Sequence, residues 1–188
     1  MMANLCPSVV LLAGLLAASV QLRAVDGAIV RPLEPSGAAN LLLFIASDCP
    51  VANGYAPDIQ RICTAYARNG VNCLLVYEDV GVTAEAVRKH LSDYRYVGVR
   101  AVVDADGQLA RRLGASVTPE AAVVDRDGKT RYRGRIDDRY VALGRQRRTV
   151  TSHDLQAALD LLVAGKPVAI AQTTAIGCFI VPPDLRRN

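Results

Sequence analysis

Two nearly uninterrupted apolar runs, NLLLFIAS at 40–47 and VNCLLVYED at 71–79, enclose a stretch of helical periodicity. A strand with one wet face alternates apolar and polar residues, whereas a strand apolar at almost every position needs cover on both faces. A sheet sandwiched between helices supplies that cover. The intervening DIQRICTAYARNG is one such helix: Ile59, Ile62, Cys63 and Tyr66 recur at helical spacing, and Gly70 is placed to end it.

The pattern continues downstream. Thr83 is positioned to cap AEAVRKHLSDY, whose Val87 and Leu91 share a face. VRAVVDADG follows as a short strand into an Asp-Gly turn, and QLARRLG as a brief helix. ASVTPEAAVVDRDGKTRYRGRI contains a hairpin with strands at 121–125 and 129–136 about the turn Arg126-Asp127-Gly128. TSHDLQAALDLLVAGKP is a last helix, with Thr151 and Asp154 as a capping pair, Gly165 at the left-handed position and Pro167 preventing continuation. The order β-α-β-α-β-(α)-β-β-α predicts an α/β three-layer sandwich, its mixed central sheet carrying a late antiparallel hairpin.

At 188 residues, 51% hydrophobic, the chain suits one globular domain with a leader and a tail. Residues 1–24 are expected to form a signal peptide: SVVLLAGLLAASVQL is apolar, no charge precedes Arg23, and the run is short for a bilayer span. An uncleaved anchor and a buried helix are the alternatives, and membrane association is expected only with the anchor. Residues 25–38, with Gly27, Pro32, Pro35 and Gly37, form a flexible lead-in, 39–166 the domain, and 167–188 a tail carrying Cys178. An exported chain is periplasmic or extracellular, where disulfides persist. The net charge of +4 is modest, and the basic residues from Arg126 to Arg148 are diluted by Asp125, Asp127, Asp137 and Asp138. No recognition motif or aromatic platform accompanies them, so no nucleic-acid partner is expected.

Without the leader's Cys6, four cysteines remain, Cys49, Cys63, Cys73 and Cys178, and three pairings are open. No C-x₂-C occurs and only two histidines are present, so no metal site is expected. Cys49, in SDCPVANGYAP, falls where a buried strand gives way to a helix. Helix N–H groups there favour a thiolate. If Pro57 marks the true first turn, the cysteine lies in a loop and the effect weakens. Cys63 and Cys73 read as small buried hydrophobes, with a disulfide pinning helix to sheet as the alternative. His90, among Arg88, Lys89, Ser92 and Asp93, reads as part of a solvated helix face, and His153 as local to the last helix.

The segments SDCPVANGYAPDIQRI, GASVTPEAAVVDRDGK, YRGRIDDRY, HDLQAALDLLVAGKPV and TTAIGCFI occur in this order over roughly residues 39 to 180. Together they resemble the peroxiredoxin-like branch of the thioredoxin-like redoxin family, related to alkyl hydroperoxide reductase and thiol-specific antioxidant. The resemblance implies a thioredoxin-like sandwich in which Cys49 is the catalytic thiol. Pro50 and Asn53 belong to its loop, and Thr118-Pro119 is the cis-proline turn beside it. It also implies that Cys178 resolves the oxidised Cys49, with no cofactor beyond the cysteines. A thiol reductant or partner redox protein, and a small peroxide or protein disulfide as substrate, follow from the same resemblance. In GRIDD, Arg135 or Arg133 is a possible stabiliser of thiolate or substrate, the other role being an ion pair with Asp137 or Asp138. Ala52 stands where a thioredoxin has its second cysteine, and Ala46 where a peroxiredoxin has a hydroxyl. A non-catalytic binding or structural module, its Cys49–Cys178 disulfide an inert staple, is the competing expectation.

Overall fold

The computed structural model describes residues 20–185. In chain order the elements are β1 (Leu22–Arg23), β2 (Ile29–Val30), β3 (Ala39–Ile45), α1 (Pro50–Gly54), α2 (Ala56–Ala67), β4 (Val71–Tyr77), α3 (Ala84–Asp93) and β5 (Arg100–Val103). There follow α4 (Gln108–Leu113), β6 (Val117–Thr118), β7 (Glu120–Asp125), β8 (Thr130–Gly134), β9 (Tyr140–Ala142), β10 (Arg145–Gln146), α5 (Asp154–Val163) and β11 (Cys178–Phe179). Five strands make the central sheet in the order β5-β4-β3-β7-β8. β3, β4 and β5 run parallel, and β7 and β8 are antiparallel, as the late hairpin requires.

The apolar run NLLLFIAS explains the layering. All seven residues of β3 are buried. Leu41, Leu43 and Ile45 face one cluster with Ile59 and Ile62 of α2, Val87 of α3, and Leu155 and Leu159 of α5. Leu42 and Phe44 face the other, with Leu109 and Ala110 of α4 and with Val20 and Ala24. The period-2 alternation of a strand thus divides one apolar run between two cores. The chain is a three-layer α/β sandwich.

Residues 25–38 do not hang free of it. β1 and β2 pair as a small antiparallel ribbon, and Ala24 bridges Val102 of the sheet. Of the segment read as a signal peptide, residues 1–19 lie outside the described residues; Val20 and Ala24 are buried against the domain. The hairpin's second strand stops at Gly134 rather than Ile136, because the tail crosses there. A methyl group on Gly134 (φ 148°) would sit 2.2 Å from Thr173 Oγ1.

Three local expectations need correction. Cys63 and Cys73 are joined by a disulfide, Cα–Cα 5.6 Å, tying α2 to β4. His90 is buried: it bonds Tyr77 and Asn53 and lies against the rings of Tyr94 and Tyr96. Thr151 and Asp154 are not a capping pair. Thr151 bonds Asp138, Asp154 accepts from Arg135, and His153 occupies the N-cap position without a side-chain cap bond. Thr83 does cap α3, accepting from the Ala86 N–H at 3.1 Å.

Candidate functional site

β3 ends at Ile45, and the chain turns through Ala46, Ser47 and Asp48 before α1 begins. Cys49 is the N-cap residue of α1, with extended φ/ψ of −80° and 111°, and Pro50 occupies the first turn. The helix therefore starts directly after the cysteine, ahead of Pro57, which serves the first turn of α2. Cys49 Sγ accepts a long hydrogen bond of 3.5 Å from the Ala52 N–H and donates to the Thr118 carbonyl at 3.1 Å. Thr118-Pro119 is a cis peptide bond.

The tail completes the site. β11 pairs antiparallel with β6, Cys178 opposite Thr118 and Phe179 opposite Val117. Gly177 makes that approach feasible, since a methyl group on it would lie 2.0 Å from the Thr118 carbonyl oxygen. The result is a sulfur–sulfur separation of 2.8 Å between Cys49 and Cys178, both free thiols. A disulfide bond is about 2.05 Å long. The two sulfurs, 129 residues apart in sequence, thus need only a small approach to bond.

Their surroundings differ. Cys49 is 1% exposed and Cys178 partly exposed. Burial pushes the Cys49 thiol up, but the donors open to the charged sulfur, from Cys178, the Thr118 side chain and the Ala52 amide, outweigh it and bring the pKa below the ordinary thiol value. For Cys178, burial, its hydrogen bond to Cys49, and the charges of Cys49 and Asp48 all act together, pushing the thiol up to about 12. One thiolate is favoured, and it is on Cys49.

A hydrogen-bond chain holds the turn that carries it. Asn53 Nδ2 donates to the Ser47 carbonyl at 2.9 Å, and Ser47 N–H and Oγ–H both donate to Asp79, at 2.8 and 2.5 Å. Asn53 Oδ1 is left to face His90 Nε2 at 2.9 Å, so that nitrogen carries the proton, and Nδ1 accepts from Tyr77 at 2.8 Å. His90 was legible as a buried position through its spacing of three from Val87, but its charged neighbours masked it. Arg135 is turned away to Asp154 (2.7 Å), while Asp137 and Asp138 serve Arg139 and Arg147. Arg133 bonds the Gly114 carbonyl and approaches Glu120 at 3.5 Å. The structure therefore gathers Cys49, Cys178, Pro50, Asn53, Thr118 and Pro119 in one place, and gives Arg135 a structural partner.

A mixed sheet between helices, a cysteine capping the helix after its first long central strand, and a cis-proline turn against that cysteine define a thioredoxin-like protein. Within that class, the AhpC/TSA family model matches residues 13–133, and the chain belongs to this family. The match ends before the tail that carries Cys178. No curated protein matches the chain. Among solved structures, a hypothetical protein from Sinorhizobium meliloti is 28% identical, over 87% of this chain and 91% of that one, with a TM-score of 0.74. An uncharacterised conserved protein from Geobacillus kaustophilus is 29% identical over 87% and 88%, also with a TM-score of 0.74. A secreted Mycobacterium tuberculosis disulfide oxidoreductase homologous to E. coli DsbE shares the fold at 21% identity, over 60% and 80%, with a TM-score of 0.50.

Proposed function

We propose that the protein is an exported thiol–disulfide oxidoreductase whose working couple is Cys49 and Cys178. The observation that carries this reading is the 2.8 Å contact between a buried, helix-capping sulfur and a second free thiol brought in by the tail. In the reduced protein the Cys49 thiolate attacks one sulfur of a substrate disulfide. A mixed disulfide forms and the substrate's other sulfur leaves as thiolate. Cys178 then loses its proton and attacks Cys49 Sγ, releasing the substrate's second thiolate and leaving the Cys49–Cys178 disulfide. An external thiol reductant or partner redox protein restores the dithiol. The cycle moves two electrons and uses no cofactor beyond the two sulfurs.

Disulfide exchange is favoured over peroxide reduction because Ala46 offers no hydroxyl where the family's peroxidases carry one. Export is supported by the uncharged apolar run before Arg23 and by the Cys63–Cys73 disulfide, which persists in oxidising compartments. A secreted neighbour shares the fold.

The test is a dithiol titration of the mature protein with disulfide mapping. The expected result is a Cys49–Cys178 bond that opens and closes reversibly, with insulin or glutathione disulfide reduced by the wild type and by neither Cys49→Ser nor Cys178→Ala at a comparable rate. A pair that never bonds, or a bond that resists dithiol in the native protein, refutes the oxidoreductase and leaves a structural module. Hydrogen peroxide consumption, followed in parallel, distinguishes a peroxidase.

A further inference from the structure

Once the Cys49–Cys178 bond has formed, the two sulfurs are no longer equally reachable. The bond pins β11 against β6, over a Cys49 that is 1% exposed. Cys178 remains partly exposed and lines a cleft of about 590 Å³ to which Cys49 does not contribute. The walls of this cleft are of two kinds. Asp48, Glu78 and Asp79 bring carboxylates, and no basic residue lines it among the described residues. Val80 and Phe179, 51% and 83% exposed, place apolar side chains at it. Thr118 also lines it, 1% exposed, with an Oγ1 that has no hydrogen-bond partner.

We propose that this cleft receives the cysteine-bearing segment of a protein thiol partner, cationic and apolar beside its cysteine, and that the partner's thiolate attacks Cys178, not Cys49. The inference rests on the oxidoreductase reading above and names the reductant side of that same site. The partner's sulfur bonds to Cys178 Sγ, the Cys49–Cys178 bond breaks, and its electron pair departs on Cys49 as thiolate. The Ala52 N–H already points at the leaving sulfur, and the unpartnered Thr118 hydroxyl supplies a further donor once that sulfur is charged. A second thiolate of the partner then attacks the first partner sulfur in the mixed disulfide, and Cys178 leaves and takes up a proton. The partner is oxidised to a disulfide as the protein is reduced to a dithiol.

The charge preference follows from the walls. A thiolate approaching the exposed Asp48 carboxylate, in a cleft where no described basic residue offsets it, is repelled unless its carrier brings compensating positive charge, and steering of this kind changes association rates by roughly 10- to 1000-fold. Phe179 and Val80 give an extended segment apolar contact on either side of its cysteine.

The experiment uses the full oxidised protein and two short synthetic dithiol peptides, identical except that the lysines beside the attacking cysteine in one are glutamates in the other. Stopped-flow reduction, normalised to thiolate concentration, is expected to favour the lysine peptide by about tenfold or more at low ionic strength. The advantage should collapse near 1 M salt, where the screening length is about 3 Å, and shrink in Asp48→Asn. Acid quench during the reaction, alkylation and peptide mapping should show the peptide on Cys178 and the alkyl group on Cys49. Peptide on Cys49, or equal normalised rates for the two peptides, overturns this inference while leaving the redox couple intact. A protein in which no Cys49–Cys178 bond can be formed or reduced overturns both.

Discussion

Gly177 and His90 set the geometry of the sulfur pair without holding a sulfur themselves. Gly177 lies in β-type contact where any Cβ would collide with the Thr118 carbonyl, 2.0 Å away, and with the backbone behind it. Gly177→Ala must therefore lift β11 from β6 and carry Cys178 away from Cys49. Closure of the disulfide by a small oxidant is expected to slow by about 10- to 100-fold, the cost of misplacing a reacting group by about 1 Å. Quenched-flow alkylation reads this directly, and an unchanged rate would show that the contact is not rate-setting. His90 is held neutral: burial lowers its pKa, against the opposing charges of Asp79 and Asp93. The unfolded chain therefore takes up this proton first. His90's contribution to stability is complete above about pH 6.5 and is lost as pH falls below it. Denaturant midpoints between pH 7.5 and 5 should fall in the wild type and stay flatter in His90→Gln, which keeps a donor for Asn53. The carboxylates that hydrogen bonds and arginine partners hold low against the opposing effect of burial, Asp58, Asp125 and Asp154, act in a separate, more acidic window.

At the scale of elements, the Cys63–Cys73 bond staples α2 to the β4 edge of the helix–sheet interface across a separation of 10 residues. A loop of this size is worth about 2–3 kcal/mol in the chain-entropy account. Cys63→Ala with Cys73→Ala should lower unfolding free energy by that amount in equilibrium denaturation without altering the Cys49–Cys178 exchange rate. The bond also shows where sequence reasoning ran short. Periodicity placed both residues correctly, one on the buried face of a helix and one in a strand, but periodicity carries no information on whether two sulfurs meet. β3, α2, β4, α3 and α5 were legible because each repeats a pattern over seven residues or more. β11 is two residues long, too short to have a period, and its partner β6 lies some sixty residues earlier. Thr151 and Asp154 spelled a local cap and were claimed instead by Asp138 and Arg135, residues that only the folded hairpin brings near. Cys49 at a strand-to-helix junction was readable from the chain; its contact with Cys178 came only from a family resemblance, then from the structure.

Across the whole molecule, the tail is redundant for the core and decisive for the site. Among the described residues the last buried hydrophobic side chain is Leu159, and beyond it partly buried ones such as Val168, Cys178 and Ile180 lie against the two clusters. A chain ending at Ile176 is therefore expected to keep its cooperative unfolding transition and circular dichroism spectrum, while Cys49 gains reactivity towards iodoacetamide under native conditions. A truncated chain whose Cys49 stays as protected as in the full protein would show that α1 and the Thr118 turn bury the sulfur without help from β11.

The tail is fastened twice, and the spacing of the fastenings has a kinetic meaning. The Arg133 N–H and carbonyl bond Ala171 and Thr173, and Thr173 Oγ1 in turn accepts from the Arg135 amide. When β11 lifts, Cys178 is thus on a leash anchored five residues away at Thr173, about 17 Å at full stretch. A thiol confined to a volume of that radius has a local concentration on the order of tens of millimolar. In the proposed cycle, millimolar free thiols would compete poorly with it for a mixed disulfide on Cys49, so each capture at Cys49 would close on Cys178 before a second external thiol arrives, and the substrate would be released rather than stay bound.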